Sequence, residues 1–235
     1  MKIFAIGDLH LSSSGEKPMD VFGPEWSNHA EKIAANWRKT VTEEDLVLLP
    51  GDLSWSMRLS DALPDLRLIE SLPGEKVFIR GNHDYWFDGP AKVRAAMGPR
   101  MRLLRFDACV VGGVGICGVR GWTWPGNTEY NPENDEKHWR REVSRLELSL
   151  RALAELSWDV AIAMFHYPPL DMQGASEMCG MIHRANVRHA VYGHMHGASL
   201  AVALEGERDG ITWRCVSADK IDFTPALLFE HSPSA

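Results

Sequence analysis

The sequence predicts an α/β sandwich. Short apolar runs of strand character alternate with longer amphipathic stretches of helical period, and four of those runs end in glycine followed at once by a metal-competent side chain: Gly7-Asp8, Gly51-Asp52, Gly81-Asn82 and Gly193-His194. The chain has 235 residues, 45% hydrophobic and 24% charged, which is enough to bury a substantial core without disulfides and far from disordered composition. No repeat, low-complexity tract or linker divides it, and motifs at both ends need each other, so residues 1–235 read as one domain.

Lys2–Ile6 is the first short apolar strand. Asn28 with Glu31 has the pattern of a capping box opening a helix whose Ala30, Ile33, Ala34, Trp37 and Val41 share one face. Leu46–Leu49 is the second strand, and Val77–Ile79 the third, after a helical segment that Pro64 must either start or kink. Between Ala108 and Val119 two β-type runs join through Gly112 and Gly113. A long helix then runs from Asp135 to Leu156 with the stripe Trp139, Val143, Leu146, Leu150 and Leu153, and the pairs Glu142/Arg145 and Glu147/Arg151 are expected on its solvated face. Val160–Phe165 and Ala190–Tyr192 read as further buried strands, and the tail from Leu200 to Phe229 as antiparallel strands.

Composition excludes several classes of function. A net charge of −7 provides no positive field to gather long nucleic acids or anionic lipid, and no apolar stretch is long enough to span a bilayer. One Lys precedes an apolar run that meets Asp8 almost at once, leaving no room for a secretory leader, so the expected location is the cytoplasm. Cys109, Cys117, Cys179 and Cys215 lack zinc-ribbon spacing and are expected to be buried thiols in a reducing compartment.

Open α/β sheets place ligands at the carboxyl ends of their strands, where glycine lets the chain turn and aim the next residue at a shared crevice. Adding His166, which directly ends a strand, and the partners within Asp8-Leu9-His10 and His194-Met195-His196 gives the donors Asp8, His10, Asp52, Asn82, His166, His194 and His196. All offer oxygen or imidazole nitrogen, which suits manganese, iron or zinc better than calcium or a soft metal. Seven donors exceed one tetrahedral site; with one carboxylate shared they supply two divalent ions. Such a pair, less two carboxylates and a hydroxide, leaves a local charge near ~+1 inside an acidic protein, a magnet for phosphate.

Asp8-Leu9-His10, Gly51-Asp52, Gly81-Asn82-His83-Asp84, His166 and Gly193-His194-Met195-His196 resemble, in order, the five blocks of the calcineurin-like metallophosphoesterases. The resemblance implies a four-layer sandwich, with two mixed sheets face to face between helices and a dinuclear site at the strand ends. It also implies that Asp8, His10 and His196 hold one metal, that Asn82, His166 and His194 hold the other, and that Asp52 bridges them. By the same resemblance His83 sits above the metals and assists the leaving group, and Asp84 orients it.

The chemistry expected is in-line attack on phosphorus by a hydroxide bridging the ions, with Arg80 or Arg120 neutralising equatorial oxygens. The segment Arg120–Asn127 is expected to form a loop over the site, near His138. Trp122 and Trp124 in that loop, like Trp55 and Trp86 after the motif blocks, either stack on a planar leaving group or pack the chain down. His29, His183, His189 and His231 read as surface or helix-face residues. After Gly51-Asp52 comes Leu53-Ser54-Trp55, without the additional Asp and Arg that protein serine/threonine phosphatases of this family carry, so a small phosphodiester or nucleotide-like phosphoester is the expected substrate. The alternatives are a phosphomonoesterase, protein phosphatases included, and a metal-binding scaffold without catalysis.

Overall fold

The computed structural model describes residues 1–13 and 17–232. Its strands in chain order are β1 (Lys2–Ala5), β2 (Leu46–Leu49), β3 (Glu75–Phe78), β4 (Met101–Leu103), β5 (Cys109–Val111), β6 (Val114–Val119), β7 (Val160–Phe165), β8 (His189–Tyr192), β9 (Gly206–Arg208), β10 (Ile211–Cys215) and β11 (Ala226–Glu230). The helices are α1 (His29–Thr40), α2 (Leu59–Ser71), α3 (Pro90–Ala96), α4 (Pro132–Ala154) and α5 (Glu177–Arg184).

Two mixed sheets result. The first has the order β11-β1-β2-β3-β4, parallel except for the β11 edge; the second is β5-β6-β7-β8-β10-β9, parallel in its centre with antiparallel strands at both edges. Parallel strands need cover on both faces, which is why β2 and β7 are almost uninterrupted apolar runs. The strand period of two sends Ile3, Ala5, Leu46 and Leu48 inward against Val114, Ile116, Ile162 and Met164 of the opposite sheet. Phe4, Val47, Leu49 and Phe78 face outward, under Ile33 and Trp37 of α1 and Leu66 and Ile69 of α2. On the far side Cys117, Ala163, Phe165 and Trp213 pack beneath Trp139, Leu146 and Leu153 of α4 and Ile182 of α5. The order helix, sheet, sheet, helix is the expected four-layer sandwich.

Several local expectations are corrected. Asn28 adopts a left-handed conformation (φ 54°) and its side chain makes no capping bond, so no capping box opens α1. Pro64 lies inside α2, five residues past its start, so it does not begin the helix. The tail is not purely antiparallel: β10 runs parallel to β8, which brings the chain after Cys215 to the same sheet end as the strand-terminal donors.

Glu142 is not on a solvated face; it is fully buried, with Oε1 2.5 Å from Arg145 Nη1 and 3.9 Å from both Arg120 Nη2 and Arg141 Nε. Its i,i+3 pairing with Arg145 exists, but three guanidiniums have drawn the carboxylate inward. Removing one member of a buried pair costs ~3–5 kcal/mol, and these partly exposed arginines can recover some hydration, so Glu142→Gln is expected to destabilise the fold by about 1–3 kcal/mol in denaturant unfolding.

All four cysteines are free; Cys117 and Cys215 are buried and Cys109 and Cys179 partly so, and burial pushes their thiols up to about 11 or 12. Among the described residues no helix is long and apolar enough to cross a membrane.

Candidate metal centre

The donors converge where the strands of both sheets end, and the backbone there is strained. Asp8 (φ 55°), His10 (44°), Asp52 (54°) and His194 (70°) all occupy the left-handed region, which costs a non-glycine residue of order ~1–3 kcal/mol and persists only where surroundings enforce it. Gly81 and Gly193 serve as space, whereas Gly51 (φ 100°) also holds a backbone conformation that side chains disfavour. A Cβ on Gly81 would collide with Asp52 Oδ1, one on Gly193 with Asp8 Oδ2, and one on Gly51 would lie 2.6 Å from Gly81 N.

Hydrogen bonds fix the carboxylates. The His194 N–H donates to Asp8 Oδ1 and Oδ2 (3.1 and 3.0 Å), tying the β8 end to the β1 end across the two sheets. The His83 N–H donates to Asp52 Oδ1 (2.8 Å), leaving Oδ2 to face His10 Nε2 at 3.8 Å and His166 Nε2 at 3.4 Å. Asp8 Oδ1 lies 3.8 Å from His166 Nδ1 and 3.6 Å from His196 Nε2. Two groups offer ligand atoms within 4.8 Å of one another: Asp8, His10 and His196, and Asp8, Asp52 and His166. Asn82 Oδ1 lies 2.5 Å from His166 Nε2, and the His194 ring stands 5.0 Å from that of His166.

These residues fit cations. Burial holds His10 at about 3 and His194 at about 4, and His166 well below the usual histidine range, so all three are neutral at neutral pH. Pro50 O can only accept, so His166 Nδ1–H must donate to it (3.0 Å), and Nε2 turns a bare lone pair toward Asp52 and Asn82. Acceptors that face one another in this way are satisfied by a proton or a metal cation between them. Burial, then Asp84 and Asp8, push the Asp52 carboxyl well up, while His10 Nδ1 and His196 Nε2 are buried without a hydrogen-bond partner among the described residues.

Asp84 does not orient the His83 ring. Its buried carboxylate accepts from the backbone N–H of Gly81 (2.8 Å), Asp52 (2.9 Å) and Leu53 (2.8 Å) and from Trp86 Nε1 (2.9 Å), clamping the two loops that carry Asp52 and Asn82. The His83 ring instead approaches the Tyr85 hydroxyl (Nδ1 to Oη 3.3 Å) and leans on Trp55 (4.3 Å between centroids). His83 lines a cleft of about 420 Å³ together with His10, Asp52, Trp55, His194 and His196.

Two of the tryptophans lie away from the cleft. Trp86 is buried on Asp84, and Trp124 is buried in the core beneath α4, with Gly126 and Gly174 against its ring. Trp122 stacks between His138 (4.5 Å) and Tyr167 (5.3 Å), and Tyr167 lies on His194 (4.0 Å), so Trp122 stands one ring behind a donor. Arg80 Nε donates to Asp84 O (3.2 Å) and Arg120 faces Glu142; both line a separate cavity beside the centre.

Sequence reasoning missed Trp26 and Asp219, which also line the cleft. Asp219 Oδ1 lies 2.9 Å from His196 Nδ1. With Asp8 it outweighs burial and raises His196 to about 10. A carboxylate on the far nitrogen of a ligand histidine fixes its tautomer, so Asp219→Asn is expected to weaken metal affinity by ~10–100-fold in a competition titration, with folding unaffected. The only sequence signal was a carboxylate shortly after an apolar strand, which is too common to single out.

The model of the calcineurin-like phosphoesterase family matches residues 1–198. Uncharacterized protein MJ1445 of Methanocaldococcus jannaschii is 36% identical over 86 residues, a match spanning 35% of this chain and about half (47%) of that protein's length. Among solved structures, the phosphopantetheinyl hydrolase of Mycobacterium tuberculosis superposes with a TM-score of 0.59 at 15% identity, covering 99% of this chain and 98% of that one. TT1561 of Thermus thermophilus gives 0.55 at 18% identity, covering 83% and 81%. At these identities the two structures establish the fold alone, whereas the family match runs from β1 through every strand-end donor to His196, and by it the chain belongs to the calcineurin-like phosphoesterases.

Proposed function

We propose that this chain hydrolyses a small phosphodiester or nucleotide-like phosphoester with the help of two divalent ions, manganese, iron or zinc, held by Asp8, His10, Asp52, Asn82, His166, His194 and His196. The observation that carries the reading is the position of Asp52 Oδ2 between His10 Nε2 and His166 Nε2, with Asp8 common to both candidate triads. Ions bound there would supply a water of lowered pKa, from ~15.7 towards ~7, and positive charge for the phosphoryl oxygens.

The chain's own residues do the rest. Asp8 and Asp52 set the spacing of the donors, and neutral His10, His166 and His194 ligate without first losing a proton. His83 faces the same cleft beside the Tyr85 hydroxyl, and burial, partly offset by Asp8, holds its ring below the ordinary histidine value, so that once protonated it gives its proton readily to a leaving oxygen. Trp55, stacked on His10 (4.8 Å), and Trp26 provide apolar walls for a planar or apolar leaving group, a part the sequence offered to Trp55, Trp86, Trp122 and Trp124. Arg80 and Arg120 remain candidates for substrate phosphate from their neighbouring cavity.

The test is hydrolysis of bis(4-nitrophenyl) phosphate and 4-nitrophenyl phosphate by manganese-loaded protein. Preferential turnover of the diester is expected. Preference for the monoester would move the reading to a phosphomonoesterase, and silence on both esters with metal bound would leave a scaffold.

A further inference from the structure

Beside the metal centre lies a second cavity, of about 190 Å³, whose lining includes Arg80, Arg105, Arg120, Arg141 and Arg145 and a single carboxylate, Glu142. It opens between the ends of β3 and β6 under α4 and shares no lining residue with the cleft of His10 and His83. It is nonetheless adjacent: Arg80 immediately precedes Gly81-Asn82, and the Arg120 carbonyl accepts from the N–H of His166 (3.0 Å) and of Tyr167 (2.8 Å).

Five guanidiniums against one carboxylate is an unusual concentration in a chain of net charge −7. Glu142 meets Arg145, Arg120 and Arg141, but among the described residues no carboxylate oxygen lies within 4 Å of the Arg80 or Arg105 side-chain nitrogens. Aromatic faces hold these stems without neutralising them: Arg80 and Arg105 lie over Phe87 (5.4 and 5.1 Å), and Arg145 over Phe106 (4.4 Å). Burial and like charge from neighbouring arginines act against the charged forms of Arg80, Arg105 and Arg120, in each case partly offset by a nearby carboxylate, Asp84 for Arg80 and Glu142 for Arg105 and Arg120. Arg120 Nε is buried without an acceptor among the described residues. Planar, mutually repelling donors around a space of this size are what a doubly charged oxyanion satisfies, through charge-assisted and bidentate bonds.

We propose that this cavity is a second oxyanion site, taking a phosphoryl dianion distinct from the one bound at the metals. The dianion comes either from a second phosphate on the substrate itself or from a free phosphate acting as an effector. The binding proposal does not depend on hydrolysis.

Inorganic phosphate titrated into metal-loaded protein by calorimetry tests it, comparing wild type with Arg105→Gln, whose changed residue is outside the metal donors, the apolar core and the Glu142 ion pairs. The expected result is one fewer phosphate per chain in the variant, or at least a tenfold loss of affinity at one site, with metal content and melting temperature unchanged. If the centre does not bind phosphate, the difference between the two proteins persists, so this test and the hydrolase reading fail separately. Equal stoichiometry and affinity in the two proteins would overturn the site. Kinetics with the same pair identify the source. A lower KM for an aryl nucleotide ester carrying an extra 3′-phosphate, lost in the variant, marks a substrate group; an effect of added phosphate on bis(4-nitrophenyl) phosphate turnover in wild type alone marks an effector.

Discussion

Asp52→Asn is expected to empty both metal positions together. The substitution is nearly isosteric, so Oδ1 can still accept from the His83 N–H (2.8 Å) and the clamp by Asp84 on the Asp52 N–H (2.9 Å) is untouched. What is lost is the charge on Oδ2, the oxygen that stands 3.8 Å from His10 Nε2 and 3.4 Å from His166 Nε2. With Asp8 as the only remaining carboxylate among the seven donors, two divalent ions would face each other with half of their anionic compensation gone. Elemental analysis should therefore find both ions depleted in a folded protein, and turnover should fall by more than for any other single substitution considered. Removing the metals forfeits most of the ease of deprotonating water, which at ~1.36 kcal/mol per pKa unit is worth roughly 12 kcal/mol. Loss of one ion with the other at full occupancy would show that Asp52 serves a single site.

His83→Ala separates chemistry from binding. The His83 ring contributes no atom to either candidate triad, and the backbone N–H by which the residue holds Asp52 survives the change, so metal content should match wild type. A general acid contributes ~10²–10⁴-fold, or roughly 3–5 kcal/mol, and a decrease of that size in kcat is expected for esters with poor leaving groups. For 4-nitrophenyl esters, whose leaving oxygen needs little protonation, the decrease should be much smaller. An equal decrease for both kinds of leaving group would instead assign His83 to binding the phosphoryl oxygens.

The candidate donors were legible in the sequence because each follows a strand end within one to five residues, and apolar runs with glycine punctuation mark strand ends locally. The reason for the glycines was only half legible. Gly81 and Gly193 matter because a Cβ there would strike the Asp52 and Asp8 carboxylates, a contact between residues 29 and 185 positions apart that no local pattern carries. Asp219 was hidden for a related cause. The side-chain alternation of Ile211–Cys215 reports burial on one face but not strand direction, and only the parallel pairing with β8 brings Asp219 to His196.

Glu142 shows the limit of helical pair rules. The spacing to Arg145 is right for a solvated ion pair, yet Arg120, 22 positions away and arriving at the end of β6, helps turn it into a buried anchor. The tryptophans were the least readable, since an indole in a glycine-rich loop can cap a pocket or plug a core. Trp55 and Trp26 line the cleft, whereas Trp86 and Trp124 are core residues.

The most direct measurement is anomalous diffraction from crystals grown with manganese. Two peaks at the strand ends, ~3.5–4 Å apart and flanking the Asp8 and Asp52 carboxylates, are the predicted result. A well-ordered centre that takes up no manganese, iron or zinc, or a lone ion bound away from Asp8 and Asp52, would contradict it.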